Sequence, residues 1–191
     1  MVGEFDERSC HTPLATLATL HSLAKREYFI RHNYICQYIH YKILKHYCME
    51  VGDNWFRHSP ADVMIKDKIE VVYDQTILTT RPVGANRPDI LVKDLANKKT
   101  YIMDISCPVD TNVGKKEREK TAKYGALKIE AEKMWGVKAE VIPVVVGGLG
   151  AVTKNLRDNL AKVPGSPDAF MCQKICLLGS KKILQDVLRR K

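Results

Sequence analysis

Residues 87–124 read RPDILVKDLANKKTYIMDISCPVDTNVGKKEREKTAKY and contain two short apolar runs, a polar turn and a charged segment. Each apolar run carries one carboxylate at a position where burial is expected, Asp89 in the first run and Asp104 in the second. Burying an unpaired carboxylate is costly, so such a group is normally paired, protonated or bound to a metal. Two carboxylates on neighbouring strands, with lysines downstream, predict a metal-dependent site.

The alternation of side chains along a strand indicates which residues share a face. Asp104 shares a face with Ile102 and Ser106, and Asp89 shares one with Leu91. If the two runs pair as a hairpin, Asp89 and Asp104 converge on one site. Their repulsion would be relieved by Mg²⁺, which takes oxygen ligands at about 2.1 Å. A metal held in this way activates water and neutralises charge on a phosphate.

The charged segment predicts a helix over residues 114–135, ended by Gly136. Its apolar face, continued towards the start of the helix, reaches Lys120 and Lys123. Lysines on a buried face are unusual, and the carboxylates would give them partners. A plain ion pair between Asp104 and one lysine, without chemistry, is the alternative on spacing alone. Three more basic residues lie on the first turns, where they are solvated or contact a phosphate backbone: Lys115, Lys116 and Arg118.

The remaining periodicity predicts helices and strands around this stretch. Residues 14–49 predict helix, with Ile35, Ile39, Ile43 and Tyr47 on its core face and a break near residues 31–33. Residues 51–68 predict a loop, and Pro143 places the last strand at an edge or a bulge. Further strands are expected over residues 69–78, 88–94, 100–106 and 139–146, and further helices over 151–162 and 169–190. This order predicts the α/β class, with a mixed central sheet flanked by helices.

Composition limits the partners and the compartment. The chain has 191 residues, a formal charge of +9 and a pI near 9.2, which favours polyanionic partners such as nucleic acid. No apolar stretch is long enough for a membrane span, and no signal peptide opens the chain, so we expect no membrane partner. Six cysteines without a CxxC pair are expected to be mostly small buried hydrophobes in a reducing compartment.

One helical face carries a combination typical of metal ligands. His32, Cys36 and His40 are spaced i, i+4 and i+8. No fourth ligand stands at a usable spacing. We therefore expect these residues to pack or to contact substrate, and we expect no zinc.

Several motifs together resemble a known family. They are RPDI (87–90), DISCPVD (104–110), EKTAKY (119–124), AKREYFIRHN (24–33), PVVVGGLGAVTKNL (143–156) and CLLGSKKIL (176–184). The combination is similar to the PD-(D/E)XK nuclease superfamily. It most resembles the restriction-like endonuclease domain in site-specific non-LTR retrotransposon polyproteins.

This resemblance implies a restriction-endonuclease-like core that cuts DNA with Mg²⁺, or Mn²⁺ in its place. Asp89 and Asp104 would be metal ligands and catalytic residues. The superfamily's usual lysine position, two residues after the second acid, is Ser106 here, and in this subgroup the lysine comes from the next helix. Lys120 and Lys123, the latter with Tyr124, are therefore the catalytic candidates. The resemblance also implies DNA contacts at Arg31, His32 and Arg87, beside the basic residues of the helix named above.

The resemblance also sets the expected limits of the parts. Family members carry a CCHC zinc knuckle before the RHN element, and here only Cys10, His11 and His21 stand in that region. We expect residues 1–23 to be disordered or the remnant of a lost knuckle, and residues 24–163 to form the endonuclease domain. Residues 164–191 would be a linker and a basic helix. The chain would then be a retrotransposon fragment.

The sequence thus predicts a nuclear, Mg²⁺-dependent DNA endonuclease of the nickase type, with the RNA of the element as a further partner. Its main rival is an inactive nucleic-acid-binding module left from a retrotransposon. A third reading is a structural domain whose charges satisfy one another.

Overall fold

The computed structural model describes residues 14–189, with side chains from residue 29 onwards except residue 187. Residues 1–13, the first part of the segment 1–23 expected to be disordered or the remnant of a knuckle, lie outside this range. Ten regular elements follow in chain order: α1 (Leu14–His46), β1 (Val63–Lys66), β2 (Ile69–Tyr73), β3 (Ile90–Asp94), β4 (Lys99–Ser106), α2 (Val113–Lys123), α3 (Gly125–Trp135), β5 (Lys138–Val145), α4 (Leu156–Lys162) and α5 (Ala169–Leu188). Short 3₁₀ turns lie at Trp55–Arg57 and Asp110–Asn112.

The sheet has five strands in the order β1-β2-β3-β4-β5. The first four strands pair antiparallel as a meander, and β5 returns parallel to β4 after α2 and α3. The predicted mixed sheet flanked by helices is therefore confirmed. Pro143 lies in β5 at one edge of the sheet, where a strand loses least by lacking an N–H, and this also agrees with the prediction.

Two apolar clusters cover the two faces of the sheet. The larger one joins α1, α4 and α5 to one face, and the three isoleucines predicted for the core face of α1 are all fully buried. The smaller cluster includes Leu91 and Ile102 from the other face, with Tyr124 and Leu127 beyond them. Helix α5 contributes Cys172 and Cys176 to the larger cluster, so it belongs to the same core.

Five local expectations are wrong. Residues 51–68 contain β1, whose side chains are mostly exposed and so show no alternation of apolar residues. The strand over 69–78 ends at Tyr73, because Asp74 adopts a positive φ of 45°. The helix over 114–135 is divided at Tyr124, and the helix over 151–162 begins only at Leu156. No break occurs near residues 31–33, since α1 is continuous there.

Other expectations hold. β3 and β4 form the predicted hairpin, and Gly136 ends α3 in the left-handed conformation. Four cysteines are buried, at positions 36, 107, 172 and 176, while Cys48 is exposed. Among the described helices, none is sufficiently long and apolar for a membrane span.

The loop before α5 approaches α1 very closely at Gly165. This glycine has φ of +85°, and a Cβ built on it would lie 2.4 Å from the carbonyl oxygen of Lys42. Only a residue without a Cβ fits both constraints. Gly165 therefore determines how the loop before α5 lies against α1.

Replacing Gly165 with alanine should lower the free energy of unfolding by about 1–3 kcal/mol, because positive φ and the backbone clash act together. Gly84→Ala is the matched control, since a Cβ there meets nothing within 4 Å. Urea unfolding of both variants checks this. Equal stabilities of the two variants would contradict the role assigned to Gly165.

Candidate functional site

Asp104 and Asp89 meet at one end of the β3–β4 hairpin. The strand register pairs Ile90 with Met103, and its extension by one residue sets Asp89 opposite Asp104. Asp104 is buried on the inner strand β4, between β3 and β5, at 2% exposure. The Oδ2 of Asp89 accepts a hydrogen bond of 2.6 Å from the backbone N–H of Ile105. The hairpin thus places the two predicted acids next to each other at the same end of the sheet.

Both predicted lysines contact the Asp104 carboxylate from α2. The Nζ of Lys120 forms an ion pair with Oδ2, and the Nζ of Lys123 lies 3.4 Å from Oδ1. The Lys120 side chain is 20% exposed and the Lys123 side chain 45% exposed. The inward orientation predicted from the helical face is therefore confirmed. The more exposed Lys123 is the one that presents its ammonium group to solvent.

Tyr124 fixes the position of Lys123. Its side chain is fully buried at the junction of α2 and α3. Its hydroxyl accepts a 2.8 Å hydrogen bond from Lys123 and donates one of 2.8 Å to the carbonyl oxygen of Arg87. Burial, followed by the nearby Asp104 charge, raises the pKa of Tyr124 well above its usual value. The phenol therefore stays protonated and serves as a positioning group.

Asp89 makes its other contacts on the opposite side of the sheet. Its Oδ1 lies 3.3 Å from the Nε2 of His32 in α1. The same Nε2 lies 3.4 Å from the Sγ of Cys36. The two acids were expected to converge on one face. Instead, Asp104 contacts α2 and Asp89 contacts α1, because Asp89 precedes the first paired residue of β3 and escapes its alternation.

Burial governs the chemistry of the Cys36 thiol. Cys36 is 1% exposed, and its pKa is raised well above the usual value. Desolvation is the first cause, and the negative charges of Asp89 and Asp104 add to it. The thiol is therefore protonated as long as no cation lies beside it.

His40 does not join His32 and Cys36, although the spacing placed all three on one helical face. Its Nδ1 lies 2.7 Å from the Nε2 of His58, and the two rings stack. Burial and the proximity of His58 lower the pKa of His40 to about 3. Burial also lowers the pKa of His58. This pair is therefore neutral and joins α1 to the loop before β1.

The predicted DNA contacts fall into different surroundings. Arg31 is half-buried and donates a 2.9 Å hydrogen bond to Ser180 of α5. A Cβ on Gly179 would lie 2.6 Å from the Cγ of Arg31, so the Arg31 side chain is closely packed against α5. Arg87 is exposed and forms a two-pronged ion pair with Asp74, with distances of 2.9 and 3.0 Å. Arg31 thus lies in a packed junction, whereas Arg87 is accessible from solvent.

The basic residues at the start of α2 are on the surface. Lys116 pairs with Glu119 at 2.6 Å, and Lys115 approaches the same carboxylate at 4.0 Å. Arg118 is exposed. None of these three residues contacts Asp104 in the described part of the chain, in contrast to the lysines one and two turns later.

Sequence reasoning gave no role to three residues near the site. Ser106 lies two residues beyond Asp104 on the same strand face, and its buried hydroxyl has no hydrogen-bond partner among the described residues. The backbone N–H of Asp74 donates a hydrogen bond to the backbone carbonyl oxygen of Asp89. Glu117 accepts hydrogen bonds from Thr153 at 2.8 Å and from Asn155 at 3.2 Å, which holds α2 against the turn before α4. Alternation had placed Ser106 beside Asp104, whereas the other two contacts depend on loops.

Acidification should destabilise the fold through His40. Its folded pKa of about 3 lies below the unfolded value near 6.5, so the unfolded state binds more protons. Its contribution is present above pH 6.5 and is lost as pH falls towards 3. Unfolding in urea should show a loss of about 1.4 kcal/mol between pH 7.5 and 5.5 from this group alone. A His40→Gln variant should show a flatter dependence, and an unchanged slope would contradict this assignment.

Comparisons with known proteins do not identify a family for this chain. The chain matches no protein-family model, and no curated protein is significantly similar to it.

Proposed function

We propose that this protein is a Mg²⁺-dependent endonuclease that hydrolyses phosphodiester bonds of DNA. One observation carries the proposal: the buried Asp104 stands opposite Asp89 and is contacted by Lys120 and Lys123 from the next helix. This is the arrangement expected of a restriction-endonuclease-like core in which the following helix supplies the lysine. The retrotransposon origin belongs to the same proposal and rests on the sequence resemblance.

The residues present fit a hard divalent cation. Two carboxylates lie at the same strand end, and a buried hydroxyl without a partner, Ser106 Oγ, lies on the same face as Asp104. Oxygen donors of this kind are preferred by Mg²⁺, and also by Mn²⁺. Asp89 and Asp104 would hold the ion once the Asp89 carboxylate turns from His32 in α1 towards Asp104. When bound, such an ion supplies a Lewis acid that neutralises phosphate charge and makes a bound water more acidic.

The two lysines would have separate roles. Lys120 is the less exposed and would neutralise the charge of Asp104 while the site is empty of substrate. Lys123 is the more exposed, and the Tyr124 hydroxyl holds its ammonium group at 2.8 Å. A fixed cation at this point would contact the phosphate or orient the attacking water, and so stabilise charge that develops in the transition state.

The surface charge supports a polyanionic substrate. The formal charge is +9, and Lys115, Lys116, Arg118 and Arg87 all lie on the surface beside the elements that carry the acids. Each would make phosphate contacts that position DNA without reading its sequence. His32 would act inside the site through Asp89, and the packed Arg31 would orient its neighbour His32. DNA, and the RNA of the element, are thus the proposed partners, and the nucleus is the proposed compartment.

One observation favours the rival function, a nucleic-acid-binding module without catalysis. Lys120 and Lys123 already neutralise Asp104 without a metal ion. A buried carboxylate satisfied in this way is stable on its own. In that case the basic surface would still bind nucleic acid, and the carboxylates would only hold the helix in place.

Asn substitution of either acid separates these functions. Asp104→Asn and Asp89→Asn should each reduce Mg²⁺-dependent nicking of supercoiled plasmid by about 10²-fold or more, because the ion loses a ligand. Asp94→Asn is a matched control: it removes a buried carboxylate at the far end of β3, where Tyr47 and Asn97 bind it. That variant should lose stability but keep its nicking activity.

Two results would contradict the proposed endonuclease activity. The first is the absence of nicking by the native chain, and the second is equal nicking by the native chain and Asp104→Asn. Retention of DNA by Asp104→Asn, weakening steeply with salt, would then identify the binding module.

Methionine substitution distinguishes the two lysines. Lys123→Met should reduce nicking by about 10²-fold while the fold remains stable, since its side chain is half exposed. Lys120→Met should also lower the free energy of unfolding, because it removes the ion pair of the buried Asp104. Lys133→Met, at an exposed position of α3, serves as the control. Nicking assays and urea unfolding check both effects, and full activity of Lys123→Met would contradict the proposed role.

A further inference from the structure

Three side chains with different donor atoms meet beside the carboxylate pair. His32 and Cys36 lie one turn apart on the same face of α1, and Asp89 reaches them from the start of β3. The imidazole nitrogen, the sulfur and a carboxylate oxygen all lie within 4.8 Å of one another. A spacing of i, i+4 is a common way to present two ligands from one helix to the same ion.

Two of the three separations, both measured from His32 Nε2, match those between the ligands of a tetrahedral ion, and the third lies within 4.8 Å. Zinc binds nitrogen and oxygen at about 2.0–2.2 Å and sulfur at about 2.3 Å, so neighbouring ligand atoms lie roughly 3.4–3.6 Å apart. Here Nε2 lies 3.4 Å from the sulfur of Cys36 and 3.3 Å from the Oδ1 of Asp89. The side chains are therefore already close to the positions that a bound ion requires.

The cluster is poorly arranged for hydrogen bonding alone. The Nε2 of a neutral His32 either donates its proton to Asp89 or accepts one from the Cys36 thiol, and it cannot do both. A cation at the centre attracts all three donor atoms at once. The conflict involves the one nitrogen that faces both neighbours, whatever the other contacts of the ring.

We propose that His32, Cys36 and Asp89 form a binding site for Zn²⁺ or a similar thiophilic divalent ion. The donor set of one nitrogen, one sulfur and one oxygen favours zinc over magnesium, which takes oxygen ligands. Three protein ligands leave a fourth position for water or a substrate atom, as in catalytic zinc sites. The expectation of no zinc assumed His40 as the third residue, but His40 pairs with His58 and Asp89 takes its place.

Binding would release a proton from Cys36. Its thiol is protonated in the absence of a cation, and a zinc-bound sulfur is a thiolate. The affinity should therefore rise with pH, because the thiol must lose its proton to bind the ion. Proton release on metal addition is a readout that needs no enzymatic activity.

The site is distinct in its chemistry from the carboxylate pair, although both use Asp89. The Oδ2 of Asp89 is held by the N–H of Ile105, while Oδ1 faces the cluster. Asp104 contributes no atom to the cluster. The zinc proposal therefore does not rest on cleavage of DNA and can be tested without it.

Cobalt(II) is the probe, because a bound thiolate gives it an intense charge-transfer band. The full chain, without a histidine tag and with Cys48→Ser to remove an exposed thiol, should show the band at one ion per chain, and Zn²⁺ should abolish it. Cys36→Ser should lose the band and bind at least about 10–100-fold more weakly. Cys172→Ser is the matched control, since that cysteine is also fully buried but lies in α5. It should behave as the parent chain.

Several results would overturn the zinc site: no band in the parent chain, a band that survives Cys36→Ser, or equal loss in Cys172→Ser. If Cys36→Ser does not fold by circular dichroism, His32→Gln, whose side chain is partly exposed, provides the same comparison. Asp104→Asn should abolish nicking but keep the band. Loss of the band in that variant would show that Asp104 is needed for zinc binding, and this would overturn the proposal of a separate site. If the native chain does not nick DNA, the cobalt experiment still tests the zinc site, because it does not depend on nicking.

Discussion

The Asp104 carboxylate, buried on the inner strand β4, is the constraint on which the structure depends. Taking this charge out of water costs several kcal/mol unless a partner is supplied, and the partner comes from α2. This requirement fixes which face of α2 points at the sheet. It also explains the break at Tyr124: the phenol fills the small apolar cluster, while its hydroxyl holds Lys123 and the backbone of Arg87. One buried charge thus orients the helix that crosses from β4 to β5.

Asp89 has the corresponding role on the other face. It has one oxygen on the N–H of Ile105 and the other on His32, so it connects the hairpin to α1. The two acids therefore hold helices on opposite sides of the sheet while standing opposite each other at its end. Because their contacts differ, their chemistry differs as well. Asp104 contacts two ammonium groups, whereas Asp89 contacts an imidazole and, through it, a thiol.

The sequence was most informative where a residue's surroundings depend on its own element. Strand alternation and helical spacing placed the β3–β4 hairpin, the core face of α1 and the inward side of Lys120 and Lys123. They failed where a contact depends on distant segments. The exposed strand β1 has no apolar pattern of its own, and the His40–His58 contact joins residues 18 positions apart. Asp89 is the clearest example of such a failure. Alternation applies to residues within a strand, and Asp89 precedes the first residue of β3 by one position.

The position of α1 decides which ion Asp89 can serve. Its C-terminal end is positioned by the close approach of Gly165 to Lys42, and its middle by Arg31, which packs against Gly179 and donates to Ser180 of α5. Since Arg31 precedes His32, this junction fixes the rotation of α1 at the point where His32 and Cys36 face the sheet. A shift of the helix away from the sheet would remove the nitrogen and sulfur donors and leave Asp89 an oxygen ligand for a hard cation. The packing of α5 on α1 therefore determines which donor atoms surround the Asp89 carboxylate, although Asp89 belongs to neither helix.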